Sequence, residues 1–155
     1  MDKIVNSVNA HHLIGQRTEV CGMNYDHIKE HFYNSQGFIH LLNMKITDIS
    51  YGYCKGEMPM KQEILNPLGI IHGGCTFALA DTIGGSAALT HGKEVVTVDS
   101  TIHYLAPACD TKKLIAEAKE VKYGSKVAVY EVNIFKDDGT IVATSMQSYF
   151  ITEAS

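Results

Sequence analysis

The stretch NPLGIIHGGCTFALAD, residues 66–81, leads from a turn into a helix with few polar side chains. It opens on an Asn-Pro pair typical of a turn and passes through His72-Gly73-Gly74. Small apolar residues follow, and the stretch ends on the carboxylate of Asp81. A helix that is apolar on nearly all sides is usually buried. A carboxylate in such a helix needs hydrogen-bond donors, so Asp81 is a functional candidate, although a surface position is the ordinary alternative.

The segments on either side of this helix predict an α+β fold. A helical pattern runs over about residues 24–34, and the central helix extends from Gly73 to about Thr90, before the glycine of His91-Gly92. Alternating and turn-bounded segments predict strands, two within 41–60 and one each over 95–105, 112–123, 127–135 and 140–152. Hairpin-linked strands around one apolar helix indicate an antiparallel sheet wrapped around that helix. We divide the chain into an N-terminal arm and helix, residues 1–40, and one domain, residues 41–155.

Composition argues against several classes of partner. The chain has 155 residues and a formal net charge of −4, which disfavours broad binding to nucleic acid or to anionic membranes. The N-terminus lacks the apolar core of a signal peptide, and no apolar segment approaches the roughly 20 residues that span a bilayer. Four scattered cysteines without zinc-ligand spacing predict reduced thiols in the cytoplasm, and we expect no metal and no cofactor.

The start of the central helix offers an anion site. The N–H groups of Gly73 and Gly74 have no acceptor within the helix, and the helix dipole adds positive potential there. Such N–H groups can stabilise a developing carbonyl anion. Asp81 lies eight residues on, roughly 12 Å along a helix that rises 1.5 Å per residue. If both ends act on one carbonyl, a second helix must run antiparallel to the first, which predicts a homodimer with two composite sites.

These residues resemble a known family. Asn66, then His72-Gly73-Gly74, then Leu79-Ala80-Asp81 resemble the pattern of the PaaI-type acyl-CoA thioesterases, which have the hotdog fold. The resemblance continues through VVTVDSTIHYLAPA, residues 95–108, and covers about residues 41–152. It implies hydrolysis of an acyl-CoA to a free acid and coenzyme A, the latter being part of the substrate rather than a cofactor. It also implies that homodimers pair into a dimer of dimers.

The resemblance assigns roles by position. The Gly73 N–H would polarise the thioester carbonyl, and His72 would support that loop. Asp81 of the facing subunit would act as general base or as nucleophile. Asn66 would orient the attacking water, and Thr97 would hold the same water, although its alignment needs a short gap before the strand. Gly74 is a further substrate-binding candidate beside the thioester.

Several alternatives stay open at this point. Cys75 at a helix N-terminus is a candidate nucleophile, but no dyad partner accompanies it, so a packing role is favoured. Asp99 and His103 alternate with Thr97 and are expected on the same strand face. Three residues near a hairpin turn suit either coenzyme A phosphates or a solvated turn: Lys122, Ser125 and Lys126. A non-catalytic acyl-CoA-binding or regulatory protein is the alternative function, and a hydratase of the same fold is a third.

Overall fold

A computed structural model describes residues 24–34 and 36–152; the predicted arm before residue 24 lies outside this range. Within these ranges the chain forms three α-helices, namely α1 (Asp26–Asn34), α2 (Phe38–Leu41) and α3 (Gly73–Leu89), together with a 3₁₀ turn at Gln62–Ile64. The described residues also form six strands: β1 (Lys45–Ser50), β2 (Tyr53–Pro59), β3 (Val95–Tyr104), β4 (Lys113–Tyr123), β5 (Val127–Lys136) and β6 (Ile141–Ile151). The elements follow the predicted order, except that α2 was not predicted.

The six strands form one antiparallel sheet in the order β1-β2-β4-β5-β6-β3. The sheet packs around α3, which contacts every strand of it. This arrangement confirms the predicted α+β hotdog architecture. Strand β3 forms one edge of the sheet. Helix α3 begins and ends close to the predicted residues.

Glycines let α3 approach the sheet closely. A Cβ at Gly84 would overlap the Tyr149 hydroxyl, and one at Gly56 would overlap Ile83. Gly56 pairs with Ile46, next to the β1–β2 bulge that falls between Ile46 and Asp48. The fully buried face of α3 follows from the apolar run that the sequence shows.

A second bulge, in β3, corrects one prediction from strand alternation. Thr97 pairs with Tyr149, but Asp99 pairs with Ser148, so one extra residue, Val98, lies between them. Paired residues point to the same side of a sheet, and neighbouring residues point to opposite sides. Thr97 therefore faces α3, whereas Asp99 faces away from it, and the expected shared face with Asp99 and His103 is wrong.

The N-terminal helix packs on the same core as the sheet. Ile28 and Phe32 of α1 are each 6% exposed and belong to the cluster that also contains Leu79 and Ile83. The division at residues 40 and 41 stays a prediction. In the described ranges, no helix combines the length and the apolar character needed to cross a bilayer.

Candidate active site

Asp81 lies in the third turn of α3 and is half-buried. The Thr97 hydroxyl donates a hydrogen bond of 2.7 Å to its Oδ1 atom. The Tyr149 hydroxyl donates to the main-chain carbonyl of Asp81, at 2.8 Å. Burial, together with the nearby Asp81 charge, raises the pKa of Tyr149, so this donor keeps its proton. The structure thus brings Thr97 and Asp81 together and ties both the side chain and the backbone of Asp81 to the sheet.

The other predicted group lies at the first turn of α3. His72 caps the helix, and its Nδ1 accepts from the Gly74 N–H at 2.9 Å. The Gly73 N–H has no acceptor within the described residues. Gly73 N–H is therefore open to a ligand oxygen, while Gly74 N–H is already used by the cap.

Two further contacts shape the loop before the helix. The Asn66 Oδ1 atom accepts from the N–H groups of Leu68 and Ile70, at 2.9 and 3.2 Å. Asn66 thus holds its own turn in place through one end of its amide. The Tyr104 hydroxyl donates to the Gly73 carbonyl at 2.8 Å and fixes the first turn of α3 against β3.

Asp81 and Gly73 line separate cavities. A cavity of about 260 Å³ contains Asp81 and Thr97, and one of about 390 Å³ contains Gly73 and Tyr104. The two cavities share no lining residue. Within one chain, a single carbonyl cannot contact both groups.

The predicted phosphate contacts lie apart from both cavities. Lys122, Ser125 and Lys126 are exposed near the turn between β4 and β5 and line neither cavity. The Lys126 carbonyl accepts from Ile151 at 2.8 Å, which places this turn at the end of the sheet where β3 begins.

The environment of Cys75 argues against its role as a catalytic nucleophile. Burial raises the pKa of the Cys75 thiol, and this effect outweighs the opposing influence of Lys61. A catalytic cysteine needs a lowered pKa. No group of three or more metal-ligating side chains is assembled among the residues that the structure describes.

The contribution of α1 to the site was not predicted from the sequence. Ile28, His31 and Phe32 line the Asp81 cavity, as does Ile39 of α2. Their helical spacing predicts that α1 exists, but no local pattern indicates where it docks. The Tyr149 contact was missed for the same reason, because the bond joins residues 68 positions apart.

Known proteins share this architecture. The profile of the thioesterase superfamily matches residues 68–143. A putative esterase of Archaeoglobus fulgidus is 35% identical over 118 residues, which is 76% of this chain and 77% of that protein. The E. coli PaaI protein of the phenylacetic acid degradation operon superposes with a TM-score of 0.77, at 25% identity over 81% of this chain and 91% of that one. Smu.793 of Streptococcus mutans, solved bound to acetyl-CoA, gives a TM-score of 0.71 at 25% identity, covering 77% and 94%. The chain belongs to the thioesterase superfamily and is a thioester hydrolase of the PaaI-like hotdog type.

Proposed function

We propose that the protein hydrolyses acyl-CoA thioesters at two composite sites of a homodimer. The observation that carries this proposal is the separation of two complementary half-sites on one helix. Asp81 with its Thr97 donor occupies one cavity, and the open Gly73 N–H borders the other. An antiparallel second copy would bring the Gly73 of one chain to the Asp81 of the other. The acetyl-CoA bound to the Streptococcus mutans neighbour supports coenzyme A as the thiol part of the substrate.

Strand β3 supports this mode of association. It is an edge strand of ten residues, and its Val96 and Val98 side chains are 54% and 61% exposed. A long edge strand with exposed apolar side chains is a template for pairing with another chain. Pairing of β3 with its own copy would set the two α3 helices side by side. Pairing of two such dimers into a tetramer belongs to the same proposal.

The chemistry follows from the two half-sites. The thioester carbonyl accepts a hydrogen bond from Gly73 N–H, which stabilises the oxyanion as the carbonyl carbon is attacked. Asp81 either takes a proton from the attacking water or attacks the carbon itself. The carbon–sulfur bond then breaks, and the coenzyme A thiolate leaves and is protonated. In the second route, water then hydrolyses the anhydride on Asp81 to the free acid and restores the carboxylate. A single turnover in ¹⁸O-water separates the two routes, because ¹⁸O recovered in the Asp81 carboxylate requires an acyl-enzyme anhydride.

The decisive experiment is release of thiol from a panel of acyl-CoAs by the Asp81→Asn variant. We expect a loss of roughly 10²–10⁴-fold in kcat, the range for a general base, with substrate binding retained. Asp99→Asn is the matched control, because Asp99 lies on the same strand as Thr97 but faces away from α3. Turnover of Asp81→Asn within twofold of wild type would rule out the assignment. A non-catalytic binding protein would instead bind acyl-CoA while even the wild type releases no thiol.

The composite site has its own test. Gly73→Pro removes the N–H at a position where a helix tolerates proline, and the exposed Tyr104 ring has room to move aside. Mixed dimers of Gly73→Pro and Asp81→Asn chains contain one site with both defects and one intact site. We expect activity to return in verified mixed dimers, although each parent is inactive. Mixed dimers as inactive as their parents would refute a shared site.

A further inference from the structure

The cavity beside Asp81 is lined on one side by a segment outside the matched superfamily region. The superfamily profile covers residues 68–143, whereas α1 spans Asp26–Asn34. Ile28 and Phe32 of α1 form an apolar wall opposite α3, and both are nearly fully buried. We call this cavity the α1 chamber. One wall of the chamber is therefore supplied by this chain's N-terminal helix, whereas the other side is formed mainly by α3 and β3.

Gly85 creates the room inside the α1 chamber. It lies four residues after Asp81, so both residues are on the same face of α3, and Leu89 follows one turn later. A Cβ at Gly85 would lie 3.6 Å from the Tyr149 ring, an ordinary contact, with no backbone within 4 Å. Packing therefore does not require glycine at this position. The absence of a side chain leaves open the space next to the reactive carboxylate.

The volume of the chamber limits what it can hold. A dry protein cavity of about 150 Å³ accommodates benzene, or roughly 25 Å³ for each of its six carbon atoms. At that density the cavity of about 260 Å³ holds about ten non-hydrogen atoms. This corresponds to an unbranched chain of eight to ten carbons, or to one ring with a short linker. A sixteen-carbon chain would need about 400 Å³ on the same scale.

We propose that the α1 chamber receives the acyl group, and that Gly85 and Phe32 set its depth. The inference rests on the proposed function, because Asp81 has to reach the thioester carbonyl. With that carbonyl at Asp81, the acyl substituent of the thioester enters the chamber of the same chain. The other, the coenzyme A arm, extends along the opposite side. The substrates are apolar acyl groups of about ten non-hydrogen atoms or fewer.

Two variants change the chamber in opposite directions. Gly85→Leu fills it, and leucine is a better helix former than glycine, so the variant keeps α3. Phe32→Ala enlarges it. We expect Gly85→Leu to lower the ratio of kcat/KM for octanoyl-CoA to that for acetyl-CoA at least tenfold. Phe32→Ala should raise the ratio for hexadecanoyl-CoA to octanoyl-CoA at least fivefold. Gly85→Ala, which adds one methyl group, should change the first ratio in the same direction but less.

Matched controls use the same substitutions outside the chamber. Gly37→Ala places a methyl group where nothing lies within 4 Å, and Phe38→Ala truncates a side chain that is 59% exposed. Neither residue lines the chamber. Both controls should keep the wild-type dependence on acyl length.

Binding measurements distinguish an error in the chamber proposal from an error in the proposed function. Calorimetry of acetyl-, octanoyl- and hexadecanoyl-CoA on an Asp81→Asn background measures acyl length dependence without turnover. A tenfold weaker affinity for octanoyl-CoA after adding Gly85→Leu supports the chamber even if no thioester is cleaved. Unchanged length dependence in Gly85→Leu and Phe32→Ala, by kinetics and by binding, overturns the chamber proposal and leaves hydrolysis intact. A wild-type preference for hexadecanoyl-CoA over octanoyl-CoA also overturns it.

Discussion

Replacing Thr97 by valine tests whether its hydroxyl positions the reactive carboxylate. Valine keeps the shape of threonine, so the change removes the 2.7 Å hydrogen bond to Asp81 Oδ1 and little else. A hydrogen bond to a charged group contributes about 1.5–3 kcal/mol when it is buried. Asp81 is half-buried and Thr97 is exposed, so we take a value just below this range, about 1.4 kcal/mol, which corresponds to tenfold. The carboxylate conformation that this hydrogen bond stabilises would become about ten times less populated. We therefore expect kcat to fall about tenfold with KM nearly unchanged.

The assay is steady-state thiol release, with two comparison variants. Thr97→Ser keeps the hydroxyl and should recover most of the lost activity. Thr101→Val makes the same replacement at an exposed position on the same strand and should behave as wild type. The reasoning is refuted if Thr97→Val retains full kcat, or if Thr97→Ser is as impaired as Thr97→Val, because a lost methyl contact rather than a lost donor would then be responsible.

Three further predictions follow from other contacts. Cys75→Ala should keep kcat within twofold of wild type, because burial raises the pKa of that thiol; a loss above tenfold would revive a cysteine nucleophile. Burial also raises the pKa of Tyr130 and Tyr149, so above about pH 10 the unfolded chain loses these protons while the folded chain keeps them. The free energy of unfolding from urea melts should then fall by about 1.4 kcal/mol per pH unit for each tyrosine, and Tyr149→Phe should remove one such contribution; equal slopes would contradict the assignment. Gly84→Ala should cost about 1–3 kcal/mol in thermal or urea melts, because its Cβ would overlap the Tyr149 hydroxyl; an unchanged stability would show that the helix and sheet can separate at this point.

The sequence predicted the elements that depend on local pattern. Alternation and turn residues located the strands, and the apolar run after His72-Gly73-Gly74 located α3 to within one residue at its end. The antiparallel dimer was a geometric inference from the eight-residue separation of Gly73 and Asp81, and it stays a prediction. The placement of Thr97 beside Asp81 came from the family resemblance rather than from any property of the strand itself.

Other features depend on contacts distant in sequence and leave no local pattern. A bulge such as Val98 adds one residue to a strand without changing its composition, so alternation assigns the wrong face to Asp99. The docking of α1 depends on contacts distant in sequence, such as the hydrogen bond from the Tyr33 hydroxyl to the Ile46 carbonyl of β1, which the residues of α1 alone do not encode. Four-residue α2 is too short to produce a helical period, and a strand beginning near Leu41 was predicted where that helix ends.

Of the two adjacent glycines of α3, one is required by packing and the other leaves space for substrate. Each glycine inside a helix costs about 1 kcal/mol relative to alanine, so the pair at 84 and 85 costs about 2 kcal/mol. Gly84 has a structural cause, because a Cβ there would overlap the Tyr149 hydroxyl that holds the Asp81 backbone. Gly85 has no such cause, since its Cβ would make an ordinary contact at 3.6 Å. At Gly85, one turn from the reactive carboxylate, the helix therefore loses about 1 kcal/mol of stability without a packing reason. Occupation of the empty space by substrate accounts for this loss.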